Sequence, residues 1–196
     1  MNAPIKVIKN FIQEPEISSM IEYIDYLEKT ELDKFAQYQA GKRLALRFGV
    51  DEDPDHTDGS FSDLSILGNN RGFIASYFDR TVVAVKKDFE VDESLYVCSF
   101  WFAKQYPGAT VGEHADTGVG GGDYNMHFKY SAVLYLNTMS QGGQLVFKNE
   151  NYTYSPCAGD LVVFPSSGII HGVHEILETR YSLPMWITDT ESMALS

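Results

Sequence analysis

The 196-residue chain has little of several things that would assign it quickly. Its two cysteines, Cys98 and Cys157, make neither a disulfide framework nor a thiolate metal cluster, which points away from a stapled secreted scaffold and toward a reducing compartment. No apolar run approaches the roughly 18 residues needed to span a bilayer. The opening Met1-Asn2-Ala3-Pro4-Ile5-Lys6 also lacks the apolar stretch of a signal peptide, so a soluble, cytoplasmic protein with no membrane partner is expected. Positive charge is scarce: 15 Lys+Arg stand against 27 Asp+Glu, a net charge of −12, and the longest basic runs are Lys42-Arg43 and Lys86-Lys87. Such a chain repels a phosphate backbone, and no nucleic-acid partner is expected. The glycine cluster Gly118, Gly120, Gly121 and Gly122 lacks the following Lys and Ser/Thr of a phosphate-cradling loop, which leaves a mobile lid as the better reading of residues 117–127.

What is present is ordinary globular material, 44% hydrophobic and 21% charged, enough for a sizeable core. Ile17, Met20, Ile21, Ile24 and Leu27 recur at helical spacing after Pro15, a residue the first turn of a helix tolerates. Residues 51–70, with five Asp, read as a loop enclosing a short helical turn at Leu64–Leu67. Phe73, Ile74, Tyr77, Phe78, Val82 and Val85 form a second helical stripe ending near Lys86-Lys87, where cations suit a helix C-terminus. Beyond Asp92 the pattern changes to short β-branched and aromatic segments divided by Gly, Pro and Asn. The predicted strands are 95–105, 111–116, 128–136, 144–148, 152–154, 160–164, 171–176 and 180–188. Eight such strands predict a mainly β protein, a jelly roll or related double-sheet barrel, with N-terminal helices packed outside one sheet (α+β). Residues 1–92 read as a helical support region and 93–190 as the barrel core of a single domain.

Five histidines, at 56, 114, 127, 171 and 174, bound the metal-binding options. His114-Ala115-Asp116 puts an imidazole and a carboxylate two residues apart, hence on one face of an extended strand. On its own the motif is as readily a chance loop sequence. His171 follows a turn and strand that deliver it toward the same barrel mouth. Two imidazoles and one carboxylate make the facial triad that leaves coordination positions open on Fe(II), and no thiolates or third histidine lie nearby to favour zinc. His174 competes with His171, but three residues along a strand they face opposite sides. His56 and His127 read as ordinary loop histidines. Arg180 enters an apolar strand, where its forked donors match a carboxylate or else pair with one of the many acidic side chains. Among residues 99–196 the fixed cations are Lys104, Lys129, Lys148 and Arg180 against nine Asp+Glu, which makes Arg180 the only arginine there.

Together these segments carry a resemblance. Tyr106-Pro107-Gly108, His114-Ala115-Asp116, Val133-Leu134-Tyr135-Leu136-Asn137, Gly142-Gly143-Gln144-Leu145, His171-Gly172-Val173 and Thr179-Arg180-Tyr181-Ser182-Leu183 with Trp186 resemble, in order and spacing, the double-stranded β-helix of Fe(II)/2-oxoglutarate-dependent oxygenases, most of all the prolyl 4-hydroxylase-like branch. The resemblance implies a cupin-like jelly roll in which His114, Asp116 and His171 bind iron. It implies that Arg180 and Tyr135 hold the distal carboxylate of 2-oxoglutarate, that Tyr106 helps to position this cosubstrate, and that Ser182 completes an Arg-x-Ser pattern. Trp186 and Val133 are implied pocket residues, with core packing an equal reading for Trp186. The implied activity is hydroxylation of an unactivated C–H bond, of a prolyl residue in a peptide or protein first of all, consuming O₂ and releasing succinate and CO₂, with ascorbate as a reductant. Hydroxylation of another side chain or a small metabolite, and a non-catalytic cupin-like metal- or ligand-binding module, are the competing readings.

Overall fold

The computed structural model describes residues 4–49, 62–118 and 127–195. The elements run β1 (Lys6–Ile8), α1 (Glu14–Thr30), β2 (Ala36–Tyr38), β3 (Arg43–Gly49), α2 (Arg71–Phe89), β4 (Tyr96–Gln105), β5 (Val111–His114), β6 (Tyr130–Tyr135), β7 (Leu145–Phe147), β8 (Tyr152–Tyr154), β9 (Leu161–Pro165), β10 (His171–Val173) and β11 (Arg180–Thr188). Short 3₁₀ turns at Leu32–Lys34, Leu64–Asn70 and Glu191–Met193 complete them. The strands form a seven-stranded sheet, β1-β9-β6-β11-β4-β3-β2, and a four-stranded sheet, β5-β10-β7-β8. All strand pairs are antiparallel. This is the expected mainly β jelly roll with N-terminal helices.

The two helices cover one face of the large sheet because their apolar stripes meet the alternate residues of its strands. Pro15 lies in the first turn of α1, where the Gln13 backbone N–H donates to the Glu16 carboxylate at 3.0 Å. Ile17, Met20, Ile24 and Leu27 of α1, with Ile74, Tyr77 and Val85 of α2, share a core with Leu44, Leu46, Phe48, Phe100, Phe102, Leu183 and Met185. Phe48 stacks on Phe100 at 4.6 Å, and both are fully buried. Truncation of either to Ala is expected to cost about 3–5 kcal/mol. A second core, Tyr135, Leu145, Phe147, Tyr154, Val162, Phe164 and Ile169, fills the space between the sheets.

Helical periodicity passed over three strands in the first 92 residues. The alternation Leu44, Leu46, Phe48 against Arg43, Ala45, Arg47 is the signal for β3, which extends the large sheet beyond β4 and turns its odd-numbered side chains away from the helices. The helical turn expected at Leu64–Leu67 is the longer 3₁₀ segment Leu64–Asn70, with Gly68 kinked at φ 50°. Most of the acidic loop, residues 50–61 with His56, and residues 119–126 of the glycine-rich segment lie outside the described residues. Among the described residues no helix is long and apolar enough to cross a membrane.

Candidate active site

A cavity of about 100 Å³, open to solvent at its mouth, lies between the sheets. Its wall follows from strand parity. Trp101, Ala103 and Gln105 of β4, and Arg180, Ser182, Pro184 and Trp186 of β11, line it. Their neighbours Phe100, Phe102, Leu183 and Met185 belong to the helix-side core. Ala45, Ala103 and Ser182 stand side by side across three strands, and their small side chains leave the space open.

At one end the sheets bring together His114, Asp116 and His171, whose candidate ligand atoms lie within 4.8 Å of one another. Antiparallel pairing of β5 with β10 sets His171 directly opposite His114. Gly172 permits this approach: a Cβ there would stand 3.0 Å from the Val111 carbonyl oxygen. The ring nitrogens are sorted by the backbone. His114 Nδ1 lies 2.9 Å from the Gly112 carbonyl and His171 Nδ1 3.1 Å from the Ile169 carbonyl. Each Nδ1 therefore carries a proton, and each Nε2 is the nitrogen left facing the centre. The Nε2 atoms of His114 and His171 stand 3.5 and 3.8 Å from Asp116 Oδ1 and Oδ2, respectively. Ser131 donates to Asp116 at 2.5 Å and is itself linked to Ser166 at 2.8 Å.

The electrostatics of this corner follow from its burial and its few partners. Burial pushes the Asp116 carboxyl up, but hydrogen bonds from His114 and Ser131 and the charge of His171 outweigh it and hold it below the usual range. The bond to Asp116 raises His114, while burial lowers His171. Asp116 is buried, and among the described residues no Lys or Arg pairs with it. A buried carboxylate facing two imidazole Nε2 atoms fits a divalent metal, for which two nitrogens and one hard oxygen are a suitable donor set.

The opposite charge stands elsewhere on the wall. Arg180 is 4% exposed, and among the described residues no carboxylate forms an ion pair with it. Its guanidinium donates instead to Gln105 and, at 3.3 Å, to the Tyr135 hydroxyl, and its Nε has no acceptor. Among the described residues, then, the fold builds no internal salt bridge on Arg180. The pair Gly142-Gly143 closes in here: a Cβ on Gly142, at φ 69°, would stand 2.5 Å from the Glu175 carbonyl oxygen. A Cβ on Gly143 would come within 3.4 Å of Arg180 Cδ.

Other expected site residues divide. Tyr135 is fully buried beside Arg180, Ser182 pairs with it in register, and Val133 and Trp186 line the cavity. Tyr106 is placed differently. It follows Gln105 by one residue, so it falls on the helix side of the sheet, where its hydroxyl donates to Glu28 of α1 at 2.5 Å. Gln105 occupies the position beside Arg180 instead. His174 is exposed past the end of β10, and His127 packs its ring on Phe128. Sequence reading missed Tyr38, Arg43, Trp101, Gln105 and Ser131 as parts of the site. The alternation in β3 and β4 was the signal that could have found most of them.

Comparison with known proteins agrees with this geometry. Residues 100–188 match the family model of the 2OG-Fe(II) oxygenase superfamily. No curated protein matches the chain by sequence. A prolyl-4-hydroxylase of Pseudomonas putida is similar in structure, with TM-score 0.65 and 22% identity over 94% of this chain and 92% of that one. A prolyl hydroxylase of Trichoplax adhaerens, in complex with a peptide of the hypoxia inducible factor oxygen degradation domain, gives TM-score 0.69 and 18% identity over 97% and 85%. The alpha ketoglutarate dependent epimerase SnoN of nogalamycin biosynthesis gives 0.67 and 10% over 96% and 78%, so this fold alone does not decide the reaction. Residues 100–188 thus match the 2OG-Fe(II) oxygenase superfamily, and the chain shares its fold with these prolyl hydroxylases.

Proposed function

We propose that the protein is an Fe(II)- and 2-oxoglutarate-dependent dioxygenase that hydroxylates an unactivated C–H bond, with a prolyl residue of a peptide or protein as its substrate. The observation that carries this reading is the pair of uncompensated charges in one cavity, a buried carboxylate with two imidazoles at one end and the buried Arg180 guanidinium on the wall. Fe(II) held at the first and a carboxylate of 2-oxoglutarate held at the second would neutralise both. When bound, Fe(II) with 2-oxoglutarate and O₂ would supply the oxidising power for C–H hydroxylation, with release of succinate and CO₂ and with ascorbate as a reductant.

The chain's own residues do the rest. His114, Asp116 and His171 hold the metal, while the Gly112 and Ile169 carbonyls fix the imidazole tautomers and Ser131 fixes the carboxylate. Arg180 takes the distal carboxylate of the cosubstrate, with Tyr135 and Gln105 orienting the guanidinium and Ser182 beside it. Trp101, Val133, Pro184 and Trp186 form a largely apolar wall that excludes water from the reacting face. The prolyl preference draws support from the two prolyl hydroxylases of like fold, one of them solved with a peptide.

The test is an anaerobic titration of the protein with Fe(II) and then 2-oxoglutarate, read as the visible charge-transfer band of the chelate. The band is expected in the wild type and in His174→Ala and absent in His171→Ala. Metal-loaded wild type without a band overturns the dioxygenase reading. For the substrate, a one-oxygen mass gain that depends on 2-oxoglutarate is expected on prolyl peptides; gains confined to non-prolyl compounds remove that part alone.

A further inference from the structure

The cavity holds a second cation that neither the metal nor the cosubstrate accounts for. Arg43 opens β3, and strand pairing places Tyr38, Arg43, Gln105 and Arg180 in one continuous row across four strands. All four line the cavity. Arg180 turns to Gln105 and Tyr135, whereas Arg43 turns the other way and lays its guanidinium over the Tyr38 ring at 5.2 Å. Among the described residues Arg43 has no carboxylate and no hydrogen-bond acceptor. Burial lowers its pKa, the Tyr38 hydroxyl opposes this, and the like charge of Arg180 adds to the lowering. Arg43 is half-buried, so water can meet its donors in the open cavity, and a ligand that displaces this water must bring acceptors in its place.

The adjoining wall is also short of acceptors. Trp101 and Trp186, the chain's two tryptophans, stand with ring centres 4.8 Å apart, and both indole N–H groups are buried with no acceptor among the described residues. Asp116 is the one carboxylate among the residues described as lining the cavity, and it belongs to the metal corner. A neutral apolar substrate would cover Arg43 and leave its donors unpaired. A carboxylate would satisfy the fork in bidentate fashion and offer acceptors to the indoles. In a chain of net charge −12, an anionic substrate also needs such a local cation to be held at all.

We propose that Arg43 receives a carboxylate of the substrate at the cavity wall, with the Trp101 and Trp186 N–H groups as further donors, so that this site selects anionic substrates. The carboxylate belongs to a small carboxylic acid or to an acidic residue beside the target in a peptide. This rests on the dioxygenase reading, which reserves Arg180 for the cosubstrate.

Both tryptophans line the cavity, so intrinsic fluorescence reports its filling directly. The protein is loaded with Mn(II), saturated with 2-oxoglutarate, and titrated with matched pairs. One set pairs small carboxylic acids, N-acetylproline among them, with their primary amides. The other pairs short prolyl peptides carrying Glu with the same peptides carrying Gln. At least one acid is expected to bind about 10- to 100-fold more tightly than its neutral twin. Arg43→Gln is expected to abolish that preference and Arg43→Lys to restore part of it. The set that shows the preference identifies the source of the carboxylate. No preference in the wild type, or one that survives Arg43→Gln, overturns the proposal. Loss of the Fe(II)–2-oxoglutarate band in Arg43→Gln also overturns it, by assigning Arg43 to the cosubstrate. Absence of that band in the wild type would instead strike the dioxygenase reading. The matched pairs on the Mn(II)-loaded protein are read separately.

Discussion

Replacing Arg180 by Met separates what the residue does for binding from what it does to the fold. The guanidinium is 4% exposed and makes two hydrogen bonds, to Gln105 and Tyr135, with no ion pair among the described residues. Losing those bonds leaves a buried amide oxygen and a buried hydroxyl less satisfied, which costs about 1–3 kcal/mol. Against this, an uncompensated charge held out of water costs several kcal/mol, and Met fills a similar volume without it. The ligand-free Arg180→Met protein is therefore expected to be more stable than wild type by about 1–2 kcal/mol, a rise of about 2–8 °C in Tm for a chain of this size. Mn(II) and 2-oxoglutarate should reverse the order. At a concentration 100 times its Kd the cosubstrate adds about 2.7 kcal/mol to a protein that binds it, and nothing to one that does not. Differential scanning calorimetry of both proteins, with metal and with and without 2-oxoglutarate, reads the crossing. A ligand-free variant less stable than wild type by more than about 1 kcal/mol would show that the hydrogen bonds outweigh the buried charge. An equal 2-oxoglutarate shift in both proteins would remove Arg180 from the cosubstrate site.

Two further outcomes follow from contacts that flank the site. Ser131→Ala removes the donor to Asp116, and metal affinity measured by calorimetry is expected to fall about 10- to 100-fold with the fold intact; unchanged affinity would make that bond incidental. Lys104, buried on the helix face, binds Asp25 at 2.7 Å and Glu28 at 2.6 Å of α1, and Tyr181 also donates to Asp25. Burial pushes the Asp25 carboxyl up, but the bonds from Lys104 and Tyr181 outweigh it and leave it below the usual value. A carboxyl lowered on folding contributes stability above its unfolded pKa, about 3.9, and loses it as pH falls through the folded value. Lys104→Met should therefore destabilise at pH 7 by about 2–3 kcal/mol, with the gap to wild type narrowing below pH ~4; urea unfolding at pH 7 and pH 3 reads it, and a constant gap would contradict the linkage.

The legible parts of the fold were those with strong local periodicity. The stripes Ile17 to Leu27 and Ile74 to Val85 became α1 and α2, and the β-rich segments after Asp92 became β4 to β11, with ends displaced by a few residues. The predicted strand 171–176 stops at Val173, because a register shift against β5 and the Gly142–Ile176 bridge divert the chain there. β1 to β3 stayed hidden because β1 and β2 are three residues long and β3 follows a helical stretch whose pattern dominated the reading. Of the site, residue types and spacing pointed to His114, Asp116, His171 and Arg180. The one-residue difference between Gln105 and Tyr106 was beyond them, since which of two neighbours faces the cavity depends on where the strand's parity is anchored by Phe100 and Phe102 packing on the helices.

By itself the sequence determined the class of chemistry. Two imidazoles, a carboxylate and a lone barrel arginine in an acidic chain, read with the motifs around them, pointed to a metal with an anionic companion before any coordinates were known. Tertiary structure alone decided which charges lack partners. A salt bridge for Arg180 and a ligand role for His174 were both compatible with the order of residues; among the described residues the strand pairing sets His171, not His174, opposite His114 and brings no carboxylate to Arg180. The same pairing put Arg43, from the far end of the chain, in a row with Arg180. Charge compensation is a property of distances of a few ångströms between residues more than a hundred positions apart, and those distances exist only once the sheets have closed.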